Sequence, residues 1–208
     1  MTEPEPAVAS AVDDSTSRVA PLPRPWSDED AAGIGRWGHP AATYPPLLLT
    51  RVLQRHPQLA DRVRHLGEGL YVDGRLDGRS RTVAILRTCG RVGSAYEWGG
   101  QAAFWGPLTG VTPGEADALT RDSPLDRVGD AADGPAWSPL DRALIDAVDE
   151  LERDGTLGDP SWAALREHLD DEQIIELVVV AGWYRLIATM CNALDLGLED
   201  WMRPWPSS

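Results

Sequence analysis

The sequence predicts an all-α protein with a single domain, a helical bundle. Apolar residues recur at intervals of three and four along most of the chain, and no stretch alternates apolar and polar residues for long enough to indicate a sheet. Several apolar runs begin just after serine, threonine or aspartate, the residues that cap helix starts. A chain of 208 residues with 42% hydrophobic content can build one well-packed core without a second domain.

The N-terminal quarter combines a polar tail with two short helices. Residues 1–25 are rich in proline, serine and acids, which favours a disordered tail without a secretory signal, and the helical domain then takes residues 26–208. Helices are predicted over 44–55 and 57–70, separated at His56 because the proline after it disfavours a helical backbone there. His56 is expected to cap a helix end, and 71–78 is expected to be a loop.

Two helices meet at the centre of the sequence. The first is predicted over 80–92, with Val83, Ile85, Leu86 and Cys89 on its buried side. Gly93 ends it and Ser94 caps the second, which is predicted over 94–105.

The second half of the chain is predicted to contain one short helix followed by three more helices. Thr112 and Glu115 form a capping box for the short helix, which ends near residue 120, and a glycine-bearing acidic loop follows over 121–137. Ser138 precedes a helix that ends near residue 153. Asp159 is expected to cap a helix that buries Trp162, Leu165 and Leu169, and Asp170 to start a long helix that ends near residue 194. The closing aromatics, over 201–208, are expected to be exposed and to pack on a partner subunit.

Composition excludes several classes of function. The formal net charge of -14 argues against binding to nucleic acid or to anionic membrane surfaces. The most apolar run, 174–190, contains Glu176 and Arg185, so it is expected to be a core helix of a cytoplasmic protein that does not enter a membrane. All 19 basic side chains are arginine, which excludes chemistry that needs a lysine amine.

The sequence also gives no sign of a metal or cofactor site. Cys89 and Cys191 lie far apart and outside any CxxC spacing, so both are expected to be apolar core residues. The four histidines show no ligand spacing, and no metal and no cofactor are predicted.

Glu97 is the first candidate for chemistry. Ser94, Glu97 and Gln101 are spaced at three and four residues, so they share one face of a helix among aromatic neighbours. In such a setting the carboxyl serves as a general acid or base, or else it forms an ion pair with Arg87 or Arg91.

Further candidate residues lie near Glu97 or in the last long helix. Tyr96 and Trp98 bind substrate or simply pack in the core. Arg185, beside Tyr184, could bind a substrate oxyanion or pair with Glu97 or Glu176, and Asn192 lies near the same face and could orient a carbonyl.

The order of motifs resembles the carboxymuconolactone decarboxylase family, which includes the alkyl hydroperoxidase D proteins. ILR is followed by GSAYEW, with His56-Pro57 before them and WSPLDRALIDAVDEL after them, and the similarity runs from about Pro21 to about Asp200. The resemblance implies the helical fold of that family and a homo-oligomer based on dimers or trimers. Within the family the chain resembles the SxYEW branch, whose motif ends in histidine.

The resemblance also marks departures from the family's site. Ser94 and Glu97 stand at the two thiol positions of the peroxidase motif, and Gln101 stands at the position of its histidine. The family's acidic residue in the preceding helix is Thr82 here, and a histidine of the last helix is Arg185. A thiol peroxidase is therefore not expected by the family's route.

Together these observations predict a cofactor-independent lyase, isomerase or cyclase that acts on a small oxygenated molecule, in specialised metabolism. Glu97 and Arg185 are the predicted catalytic residues, and the predicted substrate-binding residues are Tyr96, Trp98, Gln101, Tyr184 and Asn192. Two alternatives stay open. One is a non-catalytic ligand-binding or scaffold protein of the same fold, and the other is a residual hydroperoxide reductase that uses Cys89.

Overall fold

A computed structural model of the chain describes residues 17–125 and 137–207, and all regular secondary structure in these ranges is helical. The helices are α1 Asp28–Gly35, α2 Leu48–Leu53, α3 Pro57–Val72, α4 Gly78–Val92, α5 Ala95–Thr109, α6 Pro113–Ala118, α7 Pro139–Asp154, α8 Asp159–Arg166 and α9 Asp171–Ala193.

Helix α4 lies at the centre and packs against α5, α7 and α9. Its side chains Val83, Leu86 and Cys89 are completely buried, as the apolar spacing predicted. Gly93 ends the helix in the left-handed conformation at φ 68°, where a side chain would be strained, and the chain then turns directly into α5. This turn places the start of α5 against the middle of the bundle.

Capping boxes start α6, α7 and α9. Thr112 and Glu115 form the predicted box of α6, and Ser138 and Asp141 form a second one at α7. Arg79, in the first turn of α4, donates to Glu115 at 2.6 Å and to Asp141 at 3.1 Å. One guanidinium therefore fixes the starts of three helices relative to one another.

The region before α3 differs from the prediction. Helix α1 was not predicted, although Ser27 caps it by accepting a hydrogen bond from the Asp30 amide. The helix predicted over 44–55 is confined to α2, because Pro45 and Pro46 keep the preceding residues extended. His56 accepts from the Leu59 amide and so caps the start of α3.

The predicted loop over 71–78 is shorter in the structure. Helix α3 continues to Val72, and α4 begins at Gly78 with Asp77 as its cap. The turn between them is held by Glu176 of α9, which accepts from the Leu76 amide at 2.8 Å and from Arg81 at 3.3 Å. Tyr71 is therefore a helical residue.

Helix α8 differs from the prediction in two details. Gly158 is its N-cap, and Asp159, predicted as the cap, is already its first residue. Trp162 is 48% exposed, although it was predicted to be buried, whereas Leu165 and Leu169 are buried as expected. Asp170 caps α9 as predicted, by accepting from the Gln173 amide.

Both terminal segments pack on the bundle. The Arg18 amide donates to Leu194 at 2.8 Å and the Leu22 amide to Arg51 at 3.0 Å, so residues 17–25 contact the domain although they were predicted to belong to a disordered tail. Residues 1–16 of that tail, and 126–136 of the predicted acidic loop, lie outside the described residues. Trp201 and Trp205 are partly buried against their own core, so the prediction of exposed closing aromatics was wrong.

Helix α9 passes through the core with one side open. It is the one helix of the described part that is long and apolar enough to cross a membrane, and 56% of its apolar window is buried inside the domain. Tyr184 and Ile187 face inward, whereas Ile175, Val178 and Leu186 are exposed. Helix α9 is therefore buried on one side, as predicted for a core helix.

Candidate active site

A small pocket with aromatic walls lies beside the first two turns of α5. Its volume is about 50 Å³, and Glu97 is the one carboxylic acid among its lining residues. The other lining residues are Tyr44, Leu47, Tyr96, Gly100, Gln101, Phe104, Trp105, Trp201 and Met202.

The polar part of the pocket follows from the helical spacing of α5. Glu97 and Gln101 lie one turn apart on the face that continues to Phe104 and Trp105. The Gln101 amide donates from Nε2 to Glu97 Oε1 at 3.1 Å, which orients the carboxyl. Ser94, which was predicted on the same face, is at the N-cap position, but its hydroxyl is buried and makes no hydrogen bond.

Burial governs the ionisation of Glu97. The residue keeps some surface towards the pocket, but its carboxyl is surrounded by protein atoms, and this desolvation raises its pKa above the ordinary value. The hydrogen bond from Gln101 acts in the opposite direction and offsets part of the rise. Among the described residues no cation pairs with Glu97, so the carboxyl is stabilised in its neutral form.

The ion pairs considered for Glu97 in the sequence analysis do not form. Arg87 donates from Nε to Asp149 at 2.6 Å, and Arg91 lies 3.6 Å from the same carboxylate. The Arg87 side chain is fully buried and also donates to the carbonyls of Leu119 and Arg121. Both arginines therefore belong to the junction of α4 with α7 and with the segment after α6.

Two tyrosines, Tyr71 and Tyr184, lie near Glu97, although neither is among the residues that line the pocket. Tyr71 and Tyr184 are 2.5 Å apart at their hydroxyl oxygens. Burial raises the pKa of Tyr71 to about 12, and burial together with the charges of Tyr71 and Glu97 raises that of Tyr184 well above its ordinary value. Both hydroxyls are therefore protonated at neutral pH, and because one donates to the other, the pair keeps one O–H for a further acceptor. Tyr184 was predicted, whereas Tyr71 was missed because its segment was predicted to be a loop.

Tyr96 and Trp98 have different roles in the structure. Tyr96 lines the pocket with its ring, and its hydroxyl donates to Glu199 at 2.5 Å. Trp98 is completely buried and donates from Nε1 to the Ala116 carbonyl at 3.2 Å. Trp98 is therefore a core residue that does not line the pocket, contrary to its predicted substrate-binding position.

Arg185 and Asn192 point away from the pocket. Arg185 is 54% exposed at its side chain and pairs with Glu152 of α7. Arg185 and Leu186 lie on the exposed side of α9, whereas Tyr184 and Ile187 lie on its buried side. Asn192 donates to the Val92 carbonyl at 3.2 Å near the surface. The predicted grouping of Arg185 and Asn192 with Glu97 is therefore not found, and neither is the pairing of Arg185 with Glu97 or Glu176.

Two non-helical segments close the pocket. Tyr44, from the segment between α1 and α2, stacks on Trp201 with ring centroids 4.1 Å apart and planes within 7°. Tyr44 also contacts Phe104 edge-on at 5.3 Å. Trp201 donates from Nε1 to Glu199 at 3.2 Å, which fixes it in the segment after α9. These contacts reach across the chain, and no local sequence signal indicated that Tyr44 or Trp201 belongs to the site.

The two thiols are close to Glu97 but buried. Cys89 is 0% and Cys191 is 1% exposed, and both are free. Burial, with a further contribution from the charge of Glu97, raises the pKa of each thiol well above its ordinary value. In residues 17–125 and 137–207, no group of three or more histidine, cysteine or acidic side chains is placed to hold a metal ion.

Comparison with known proteins identifies the fold. No model of a known protein family matches the chain, and no curated protein matches it. A solved structure from Ralstonia eutropha, described as an alkylhydroperoxidase AhpD core and an uncharacterized peroxidase-related protein, is 18% identical with a TM-score of 0.71, over 89% of this chain and 93% of that one. An uncharacterized peroxidase-related protein from Silicibacter is 15% identical with a TM-score of 0.68, over 96% of each chain.

A third solved structure, a protein of unknown function from Agrobacterium tumefaciens described as a candidate antioxidant defence protein AhpD, is also similar. It is 19% identical with a TM-score of 0.58, over 71% of this chain and 94% of that one. The three likenesses show that the chain has the all-helical AhpD-like fold that the family resemblance implied.

Proposed function

We propose that the protein is a cofactor-independent lyase, isomerase or cyclase that moves a proton on a small oxygenated organic molecule. The observation that carries the proposal is the state of Glu97. Its carboxyl lines an aromatic pocket, is held by Gln101 and has no cation partner in the described part of the chain. A carboxyl with a raised pKa is suited to give and take protons near neutral pH.

The neighbouring groups support the same chemistry. As a carboxylate, Glu97 would remove a proton from the carbon next to a substrate carbonyl, and as a carboxylic acid it would return that proton at another atom. The Gln101 amide keeps the carboxyl in place, and the remaining O–H of the Tyr71–Tyr184 pair would donate to the oxygen on which negative charge develops. Arg185 has no part in this scheme because of its position.

The buried thiols disfavour the peroxidase alternative. Reduction of a hydroperoxide by a thiol requires an accessible thiolate, whereas Cys89 is fully buried and its pKa is raised. The description as peroxidase-related belongs to two of the similar structures and was not given to this chain. For the present chain, we infer that peroxide reduction is not the activity.

Deuterium exchange tests the proposal whatever product the reaction forms. The protein is incubated in D₂O with a panel of small β-keto acids, cyclic enols and lactones, and proton NMR follows loss of the signal at the carbon next to the carbonyl. We expect at least one compound to exchange or react only with the protein, and Glu97→Gln to lower that rate by roughly 10²-fold or more.

Glu172→Gln is the matched control, because Glu172 is 69% exposed at its side chain and forms only a surface ion pair with Arg75. This variant should exchange substrate at the wild-type rate. If no compound exchanges, or if Glu97→Gln exchanges as fast as the wild type, the acid-base role is wrong and the ligand-binding or scaffold alternative is favoured.

A further inference from the structure

A second cavity lies directly beside the Glu97 pocket. Its volume is about 140 Å³, and it is formed by the end of α1 and the segment that leads to α2. Apolar side chains such as Ile34, Trp37 and Ala42 supply much of its surface. We refer to this space as the outer cavity and to the Glu97 pocket as the inner pocket.

The two spaces share part of their lining. Tyr44 and Leu47 line both of them. Phe104 of the inner pocket contacts His39 of the outer cavity edge-on, with ring centroids 5.5 Å apart. Tyr44 is held by ring contacts with Phe104 and Trp201. The Tyr44 side chain therefore lies where the two spaces adjoin.

One side-chain acceptor in the wall of the inner pocket is unsatisfied. Gln101 is only 8% exposed, and its Oε1 has no hydrogen-bond partner, because its amide nitrogen is directed to Glu97. Glu97 adds a carboxyl that no cation neutralises in the residues the structure describes. A buried acceptor without a donor carries a free-energy cost, because it has lost its hydrogen bonds to water. A ligand that brings an O–H donor would recover this cost.

The volumes decide how much of a ligand each space can hold. At about 50 Å³ the inner pocket holds a polar group and few further atoms, well below the roughly 300 Å³ or more of typical ligand pockets. The outer cavity is larger and mostly apolar, so it is suited to a hydrocarbon chain or ring.

We propose that the inner pocket and the outer cavity form one substrate site for a hydroxylated ring, phenolic or enolic, that carries an apolar substituent. The hydroxyl binds Glu97 and Gln101, the substituent occupies the outer cavity, and Tyr44 is the movable partition between them. This inference rests on the proposed function insofar as the inner pocket is the place of reaction.

A series of 4-alkylphenols tests the two-part site. Phenol, 4-ethylphenol and 4-butylphenol are titrated into the full chain, and binding is followed by calorimetry and by quenching of tryptophan fluorescence. We expect the affinity to rise by about three- to fourfold for each added methylene, which is the usual gain from burying one such group. We expect 4-ethylanisole, which lacks the O–H donor, to bind on the order of tenfold more weakly than 4-ethylphenol.

Variants of neighbouring residues locate the alkyl chain. Ala42→Trp should fill the outer cavity and abolish the gain with chain length. Ala42→Leu is a smaller change that should reduce the gain, and it replaces Ala42→Trp if that variant does not fold. Thr43→Trp is the control, because Thr43 is exposed and does not line the cavity. Tyr44→Ala should speed the association of 4-butylphenol more than that of phenol.

The outcomes separate this inference from the proposed function. An equal gain with chain length in Ala42→Trp, or no gain in the wild type, overturns the two-part site. If deuterium exchange depends on Glu97 but affinity does not rise with chain length, the proposed function is supported and the two-part site is wrong. If Ala42→Trp removes the rise in affinity but no compound exchanges deuterium, the two-part binding site is supported and the proposed enzymatic activity is refuted.

Discussion

The Tyr96 hydroxyl donates to the Glu199 carboxylate at 2.5 Å and thereby joins helix α5 to the segment after α9. Glu199 is 2% exposed, and it also accepts from the Leu48 amide at 2.8 Å. The Leu49 amide in turn donates to the Tyr96 hydroxyl at 3.1 Å. One buried carboxylate and one phenol therefore connect α2, α5 and the chain that carries Trp201.

The first prediction concerns this connection. Tyr96→Phe keeps the ring but removes the donor to a buried carboxylate, so it should lower the free energy of unfolding by about 1.5–3 kcal/mol, the usual contribution of a hydrogen bond to a charged group. Urea denaturation measures the change. Tyr44→Phe is the control, since Tyr44 contacts Phe104 and Trp201 through its ring, and it should change stability by less than about 0.5 kcal/mol. Equal losses in both variants would contradict this role of Tyr96.

The second prediction concerns the pH dependence of stability at Glu97. Folding raises its pKa, so its stabilising contribution is complete below the ordinary value near 4.5 and is lost as the pH rises through the raised pKa. The stability of the wild type relative to Glu97→Gln should therefore fall as the pH rises above about 4.5, as measured by unfolding at a series of pH values. Glu172→Gln should show no comparable trend. A loss of about 3 kcal/mol in Glu97→Gln at neutral pH would instead indicate a broken buried ion pair.

The third prediction compares two arginines that both form ion pairs. Arg87→Met leaves Asp149 and two buried carbonyls without their donor, so it should cost about 3–5 kcal/mol. Arg185→Met breaks a pair in which the arginine side chain is 54% exposed and the Glu152 side chain is 6% exposed, so it should cost less than loss of the fully buried Arg87. Chemical denaturation of the two variants measures the difference. Arg185→Met should also keep the exchange activity proposed for Glu97. A loss of that activity would indicate that Arg185 is part of the active site.

The fourth prediction concerns the thiols. Because Cys89 and Cys191 are buried and their pKa values are raised, neither should react with a disulfide reagent such as DTNB in the native protein, and both should react in denaturant. Peroxide turnover with a dithiol reductant should be absent. Turnover that disappears in Cys89→Ala but persists in Cys191→Ala would establish the peroxidase instead.

The fifth prediction concerns two adjacent glycines of α5. A Cβ on Gly99 would lie 2.5 Å from the Arg203 carbonyl oxygen, so Gly99→Ala should displace the segment after α9. A Cβ on Gly100 meets its nearest atom, in the Met202 side chain, at 3.4 Å, so Gly100→Ala should be tolerated. Faster hydrogen exchange at the Trp201 indole N–H in Gly99→Ala alone would support this. Similar exchange rates in the two variants would show that the segment is not held by the Gly99 contact.

Local signals explain what the sequence predicted well. The capping box of Thr112 and Glu115, the glycine stop at Gly93 and the aspartate start at Asp170 each depend on residues a few positions apart, and each is found in the structure. The apolar spacing of α4 and α9 likewise identified the central helices. Short α1 was missed because its eight residues show little amphipathic pattern beyond the Ser27 cap.

The site was predicted only in part, because its walls come from distant parts of the chain. Glu97 and Gln101 were found through their helical spacing, whereas Tyr44 and Trp201 meet them only through tertiary packing. When a helix is apolar on several sides, residue spacing alone does not show which side faces the core. For this reason Arg185 was expected in the core, although it faces solvent.

The wide sequence separation of the pocket walls has a thermodynamic consequence. Tyr44, Glu97 and Trp201 come together only when the whole bundle is assembled, so the unfolded chain has no binding site. A ligand of the pocket must therefore shift the folding equilibrium towards the native state, by about 2.7 kcal/mol when its concentration is a hundred times its Kd. The melting temperature of the unlabelled protein thus becomes a general readout in which compounds of diverse chemistry can be ranked before any reaction has been identified.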